Sequence, residues 1–239
     1  MNDQLTEVYA SIDALIDYAL AHLDLDPRNA DWTRNQIFAL FRLDSYPGPK
    51  TTTSAASVSD AVQDIVGSRS QAPSDEKTPD PPLAAFRAAA TTAGLLDPEE
   101  GPAYADTIMG ILSANPADLD DRFLLVEHRD GGMAAMQWFY DYCVANNYVK
   151  RAQLDRNPRF DSHGLTVTIN LAKPEFKNMK KAAAGNAVAG GYPKCTICHE
   201  NEGFAGRDKR TLRTLPVTLG GESWFWQFSP YGYFDQHGI

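Results

Sequence analysis

Apolar residues fall at Leu5, Val8, Ile12, Leu15, Ile16, Ala19 and Leu20, a spacing that predicts a helix with one buried stripe. A second helix is predicted from Trp32 to Leu43, with Asp31 as its N-cap and Tyr46-Pro47-Gly48-Pro49 as its stop. The Thr/Ser run at 51–54 reads as a loop. Ser57 then caps a short helix through Val58, Val62, Ile65 and Val66, closed by Gly67. Residues 68–82 are polar and carry four prolines, which predicts a surface connection. Helical spacing resumes from Leu83 to Ala93, with Gly94 at its end. Two start signals follow, Asp97-Pro98-Glu99-Glu100 and Asn115-Pro116-Ala117-Asp118, each with proline at the first helical position and acid in the first turn. A further helix from Gly132 to Asn146 carries Met133, Met136, Phe139, Tyr140 and Cys143, read as a core stripe with Cys143 a packed thiol. His22 and His128 stand alone and read as surface or helix-end residues.

The period changes near Asn157-Pro158. Leu165-Thr166-Val167-Thr168-Ile169-Asn170-Leu171 alternates strictly between apolar and polar, which predicts a half-buried strand. Lys173-Pro174-Glu175 ends it, and the Lys/Ala-rich segment 176–187 reads as a surface helix. Leu212 to Leu219 and Trp224 to Phe228 are strand-like and are joined by Gly220-Gly221, a hairpin signal. The pattern predicts an α+β chain: a helical region over 1–155, then a β-rich, antiparallel region over 156–239. That second region ends on the aromatic-rich run Tyr231-Gly232-Tyr233-Phe234 and reads as a sheet cut short, so the chain is expected to be part of a longer protein.

Composition narrows the function classes. The 239 residues are 43% hydrophobic, enough for one large domain or two small ones. A formal net charge of −9, with no compensating basic run, argues against a dedicated nucleic-acid binder. The densest basic cluster, Arg207 to Arg213, reads equally as a solvated face or as a contact for an anionic substrate. No apolar run approaches the roughly eighteen residues of a membrane span, and the acidic start Met-Asn-Asp-Gln-Leu-Thr-Glu lacks the features of a signal peptide. Three cysteines are too few for a disulfide framework, so a reducing, cytoplasmic location is expected.

The chemistry concentrates in residues 192–207, Tyr-Pro-Lys-Cys-Thr-Ile-Cys-His-Glu-Asn-Glu-Gly-Phe-Ala-Gly-Arg. Cys195 and Cys198 have the spacing that lets two thiolates reach one metal ion from a tight turn, and equally the spacing of a redox pair. The turn precedes a Gly-rich loop and not the helix N-terminus that lowers a reactive cysteine's pKa, which counts against redox work. His199 is adjacent to Cys198, and neighbours seldom bind one ion, so it is left out of the ligand set. The run Asn201-Glu202-Gly203-Phe204-Ala205-Gly206-Arg207 alternates polar groups with glycines that admit a close ligand, and closes on an arginine, the usual partner of phosphate. The aromatic run Trp224-Phe225-Trp226-Gln227-Phe228 reads as sheet core or subunit interface ahead of a uracil-stacking platform.

Several blocks extend along most of the chain. They are Leu-Ile-Asp-Tyr-Ala-Leu (15–20), Arg-Asn-Gln-Ile-Phe-Ala-Leu (34–40) and Phe-Tyr-Asp-Tyr-Cys-Val-Ala-Asn-Asn-Tyr-Val (139–149), then residues 165–175, 192–207 and 227–237. In this order and spacing they resemble the second class of galactose-1-phosphate uridylyltransferases, typical of Gram-positive bacteria. The 165–175 and 192–207 blocks carry most of the specificity.

The resemblance implies a histidine-triad-like antiparallel sheet. It also implies exchange of a uridylyl group between UDP-glucose and galactose 1-phosphate, by double displacement through a uridylyl-histidine. The nucleophile belongs to a His-x-His motif, and no two histidines of this chain have that spacing. The expectation is therefore that the catalytic histidine lies beyond this chain and that the chain alone is inactive. The resemblance further places Cys195 and Cys198 where the other class of these enzymes holds a structural metal, giving a partial zinc site with its remaining ligands elsewhere. Asn201, Glu202, Gly203 and Arg207 become the candidates for contact with the sugar nucleotide, with a purely turn-forming role for the glycines standing equally beside it, and homo-oligomerisation is open. Two other readings stand beside this one: a small zinc-stabilised binding module without catalysis, and a thiol oxidoreductase built on Cys195 and Cys198.

Overall fold

The computed structural model describes residues 3–46, 78–98, 103–171, 197–203, 210–232 and 236–239. The elements are α1 (Asp3–His22), a 3-10 turn (Pro27–Asn29), α2 (Ala30–Phe41), α3 (Asp80–Thr92), α4 (Ala103–Leu112), α5 (Pro116–Asp130), α6 (Gly132–Ala145) and α7 (Arg151–Leu154). Then come β1 (Arg159–Ser162), β2 (Leu165–Thr168), a 3-10 turn (His199–Asn201), β3 (Leu215–Leu219) and β4 (Glu222–Trp226). This is an α+β chain, helical first and extended later. It divides into two compact units, Met1–Glu100 and Gly101–Ile239. The helix expected over 57–67 and the one over 176–187 lie outside the described residues.

In the first unit α1 packs against α2 and α3. Val8, Ile12, Leu15, Ile16 and Ala19 are buried as the periodicity requires. Tyr9 and Leu23 complete the stripe, while Leu20 at its edge is exposed. Ile37 and Phe38 of α2 and Leu83, Phe86, Ala89 and Ala90 of α3 supply the facing core. Aromatic edges lock the layers: Tyr9 meets Phe38 at 5.4 Å, and Phe41 meets Phe86 at 5.0 Å.

Asp31 does not cap α2. The 3-10 turn, itself capped by Asp26, which accepts from the Arg28 N–H at 2.8 Å, runs straight into the helix, so Asp31 falls in its first turn. There its carboxylate pairs with Arg34, the largely buried cation that also donates to Asp13 at 2.8 Å. Tyr46 donates its hydroxyl to the other Asp13 oxygen at 2.7 Å and presents its ring to the guanidinium. Trp32 is exposed, and the helix ends at Phe41, with Arg42 in the left-handed region.

The second unit is centred on α6. Ala135, Phe139, Tyr140, Tyr142, Cys143 and Val144 are buried, against Ile108, Met109 and Leu112 of α4 and Leu119 and Val126 of α5. Asn115-Pro116 starts α5 as expected. Met133, expected in the core stripe, is 86% exposed, because it lies one residue past the Gly131–Gly132 join, before the helix enters the core. Cys143 is fully buried, and that burial pushes its thiol far above the ordinary range.

Two antiparallel hairpins follow. β3 and β4 pair from Leu215↔Trp226 to Leu219↔Glu222, turning through Gly220 (φ +62) and Gly221 (φ +84), a backbone for which glycine is suited. The sequence signal for this hairpin was direct. β3 is shorter than the run from Leu212 suggested, because Leu212, Arg213 and Thr214 turn inward and are buried. β1 had no clear alternation; it pairs with β2 through His163 (φ +52) and Gly164 (φ +78). Against expectation, β2 is not half-buried: Leu165 is 70% exposed, with Leu171 open beyond it. After β4, Phe228 bridges Gly238, and Gln227 and Ile239 exchange backbone hydrogen bonds at 2.8 and 3.3 Å.

Candidate functional site

Cys198 has an extended backbone (φ −65, ψ 147), and the chain then tightens into the 3-10 turn His199–Asn201. The Asn201 N–H donates to the Cys198 carbonyl and the Glu202 N–H to the His199 carbonyl, each at 2.9 Å. Gly203 follows in the left-handed region at φ +68. So short a turn cannot hold its shape alone, and four neighbouring groups fix it.

A buried relay grips the turn from behind. Tyr148 donates its hydroxyl to Gln227 Oε1 at 2.8 Å, and Gln227 Nε2 donates to the Ile197 carbonyl at 2.6 Å. Tyr148 is 2% and Gln227 7% exposed, so neither polar group is replaceable by water without cost. The segment 211–214 is held just as firmly. Asn146 donates through Nδ2 to the Thr211 carbonyl at 2.9 Å while its Oδ1 accepts from the Tyr148 N–H at 3.0 Å. The guanidinium of Arg213 donates to the carbonyls of Ala114, Leu212 and Arg210 at 2.8, 2.7 and 3.1 Å. Finally, the Thr214 N–H donates to Glu202 Oε1, tying the end of the cysteine turn to the start of β3.

This corner has an uneven field. Burial raises the Glu202 carboxyl above its ordinary value, with the Asp120 charge adding to the effect; the Thr214 N–H and the Arg213 charge oppose it. Asp120 is raised too, by burial and then by its neighbour Asp121. Tyr142, buried nearby and accepting from the Ala114 N–H at 2.7 Å, is pushed up to about 12 by desolvation. On the other side of the turn, His199 lies flat on Phe225 with ring centroids 3.6 Å apart and planes 10° apart, and its Nδ1 is 3.2 Å from a Glu200 oxygen.

Of the residues singled out from sequence, Cys198, Asn201, Glu202 and Gly203 come together in this turn. Cys198 is half-buried, Asn201 is completely buried, and Glu202 faces inward to Thr214. Cys195 and Arg207 lie outside the described residues. Among the described residues no group of three or more His, Cys, Asp or Glu side chains could hold a metal ion. Arg213, from the basic cluster, is committed to three carbonyls and is a scaffold residue. Sequence reasoning missed Gln227, Tyr148 and Asn146. The available signal was a lone amide inside the aromatic run 224–228, since a polar side chain carried into a core must find a partner there.

A family model described as "Galactose-1-phosphate uridyl transferase, N-terminal domain" matches residues 58–239. A protein of Bifidobacterium longum named galactose-1-phosphate uridylyltransferase is 98% identical over the whole chain, which covers 46% of that protein. Proteins of the same name from Pediococcus pentosaceus and Caldanaerobacter subterraneus are 37% and 35% identical over 56% and 55% of the chain, covering 29% and 27% of their own lengths. The chain thus spans less than half the length of these curated relatives. No solved structure matches it.

Proposed function

The chain belongs to the galactose-1-phosphate uridyl transferase family, matching its N-terminal domain, and we propose that it is part of an enzyme that exchanges UMP between UDP-glucose and galactose 1-phosphate. Near-identity to the Bifidobacterium protein along the entire chain is the observation that carries this reading. In the reaction a histidine nitrogen attacks the α-phosphorus of UDP-glucose and glucose 1-phosphate leaves. The uridylyl-histidine then passes its group to a phosphate oxygen of galactose 1-phosphate, giving UDP-galactose and the free imidazole. The nucleophile is supplied from outside this chain, which has no His-x-His pair.

This chain contributes the loop that begins at the cysteine turn. Gly203, at positive φ, admits a close approach of the sugar nucleotide, and Arg207 pairs with its phosphates. Asn201, completely buried, and Glu202, partly buried, belong to the same contact set. Cys195 and Cys198 would hold zinc as two thiolate ligands of a site completed elsewhere; the half-buried Cys198 thiol fits that role, and the ion would hold the turn in place. A cytoplasmic, non-membrane setting suits these phosphorylated substrates, and among the described residues no helix is long and apolar enough to cross a membrane.

The test is a uridylyl-exchange assay with UDP-glucose and galactose 1-phosphate, on the 239-residue chain and on a full-length polypeptide containing it. UDP-galactose should form with the longer protein and not with the chain. Absence of exchange by the longer protein would overturn the reading. Metal analysis of Cys195→Ser and Cys198→Ser should show bound zinc lost in both, and unchanged content would remove the metal assignment.

A further inference from the structure

The two hairpins of the second unit keep apolar faces in the open. In the β1–β2 register Phe160 stands opposite Val167, and alternation puts Leu165 and Val167 on one side of β2, with Ile169 and Leu171 following beyond the end of the strand. Leu165, Leu171, Phe160 and Ile169 are 70%, 65%, 50% and 46% exposed. On β3–β4 the pair Leu215 and Trp226 is the inner end of an apolar face, covered by Phe139 and Phe228, whose rings lie 6.0 and 4.4 Å from that of Trp226. The same face runs outward through Val217 and Trp224 to Leu219, where Glu222 stands opposite as a charged rim, and its cover stops: Trp224 is 54% and Leu219 64% exposed. A face that begins inside a core and continues beyond it with the same apolar pattern is a surface shaped for a further layer.

We propose that these two faces are the docking surface for the part of the full-length polypeptide that this chain does not include. The Bifidobacterium relative has more than half its length beyond what the chain covers, so there is ample polypeptide to form that layer. Two-stranded sheets are marginal on their own and gain stability from added strands or a packed cover. A second copy of this chain is the weaker occupant, because each copy carries a net charge of −9 and two would repel. The inference rests on the reading of the chain as one portion of a uridylyltransferase and adds the surface on which that portion is completed.

Radical footprinting of the 239-residue chain and of the full-length polypeptide, each at low micromolar concentration, tests it. Labelling of Leu165, Leu171 and Trp224 should fall to roughly a tenth in the longer protein, as for residues entering an interface core, while that of Met133 stays unchanged. Equal labelling in the two proteins would overturn the proposal. So would protection already present in the dilute chain, or protection that appears in the chain only on concentrating it, which would make another segment of the chain or a second copy the occupant. The variant Leu165→Lys/Leu171→Lys guards against misfolding: its melting temperature should be unchanged in the chain and lowered in the longer protein. Uridylyl exchange measured on the same full-length sample separates the two failures. Activity without protection removes only the docking surface, and protection without activity removes only the functional reading.

Discussion

The two units solve the problem of order in opposite ways. The first unit is held by apolar stripes that meet across three helices, with one ionic clamp of Arg34, Asp13 and Asp31 near its margin. The second has a packed centre at Phe139, yet the corner around the cysteine turn is fixed by side chains that reach backbone carbonyls and amides: Gln227 to Ile197, Asn146 to Thr211, Arg213 to Ala114, Glu202 to Thr214. Burial of surface is non-directional and tolerates small shifts, whereas these hydrogen bonds tolerate few.

That contrast can be broken at four points. The largest effect is expected at Phe139→Ala, which empties a fully buried ring position contacting Phe123, Trp226 and Phe228. It should cost about 3–5 kcal/mol in the unfolding of the second unit, while α1–α3 helicity, followed by hydrogen exchange, persists. A single cooperative loss of both units would contradict their separateness.

Next comes Gln227→Leu, which leaves the Ile197 carbonyl and the Tyr148 hydroxyl without this partner. About 1–2 kcal/mol is expected from the loss of these two hydrogen bonds, one of them fully buried, read by urea denaturation, together with faster alkylation of Cys198. An unchanged Cys198 rate would show that the relay does not set the turn. Arg34→Met is expected to cost about 1–3 kcal/mol, below the value for a fully buried pair, since Asp13 and Asp31 keep some solvent. Its effect should shrink at high salt, which screens the partly exposed charges, and should leave Cys198 reactivity untouched.

The smallest effect concerns pH. The folded-state pKa of Glu202 is raised, so the native state holds its proton more tightly than the unfolded chain does. Stability from this group is present below the ordinary glutamate value of 4.5 and is lost as pH rises through the higher folded value. Glu202→Gln should flatten that part of the stability–pH curve for the second unit and leave the first unchanged. A slope preserved in the variant would assign it to Asp120 instead.

Much of the scaffold could be read from residue order, and the reason is local. The stripe of α1, the Asn115-Pro116 start of α5 and the Gly220-Gly221 turn each depend on residues within a few positions of one another. The failures are where distant partners decide. Asp31 looked like a cap until the preceding 3-10 turn and the guanidinium of Arg34 drew it into the helix. Leu212–Thr214 looked like strand until Ala114 and Glu202 claimed its polar groups. At the candidate site, the composition of 192–207 marked a concentration of chemically capable side chains. It could not announce Tyr148 and Gln227, which come from 49 and 30 positions away from Ile197, because a hydrogen bond leaves no spacing pattern in the sequence when its ends are far apart.

The parallel stack of His199 on Phe225 also gives the molecule a built-in signal. Ring protons held 3.6 Å from the face of another aromatic ring experience its circulating-electron field, so the imidazole resonances of His199 should appear well upfield of those of the other four histidines. Because His199 directly follows Cys198, that one displaced peak in a proton spectrum would report whether the cysteine turn is seated on β4. It would do so in real time, as metal, nucleotide or the rest of the polypeptide is added.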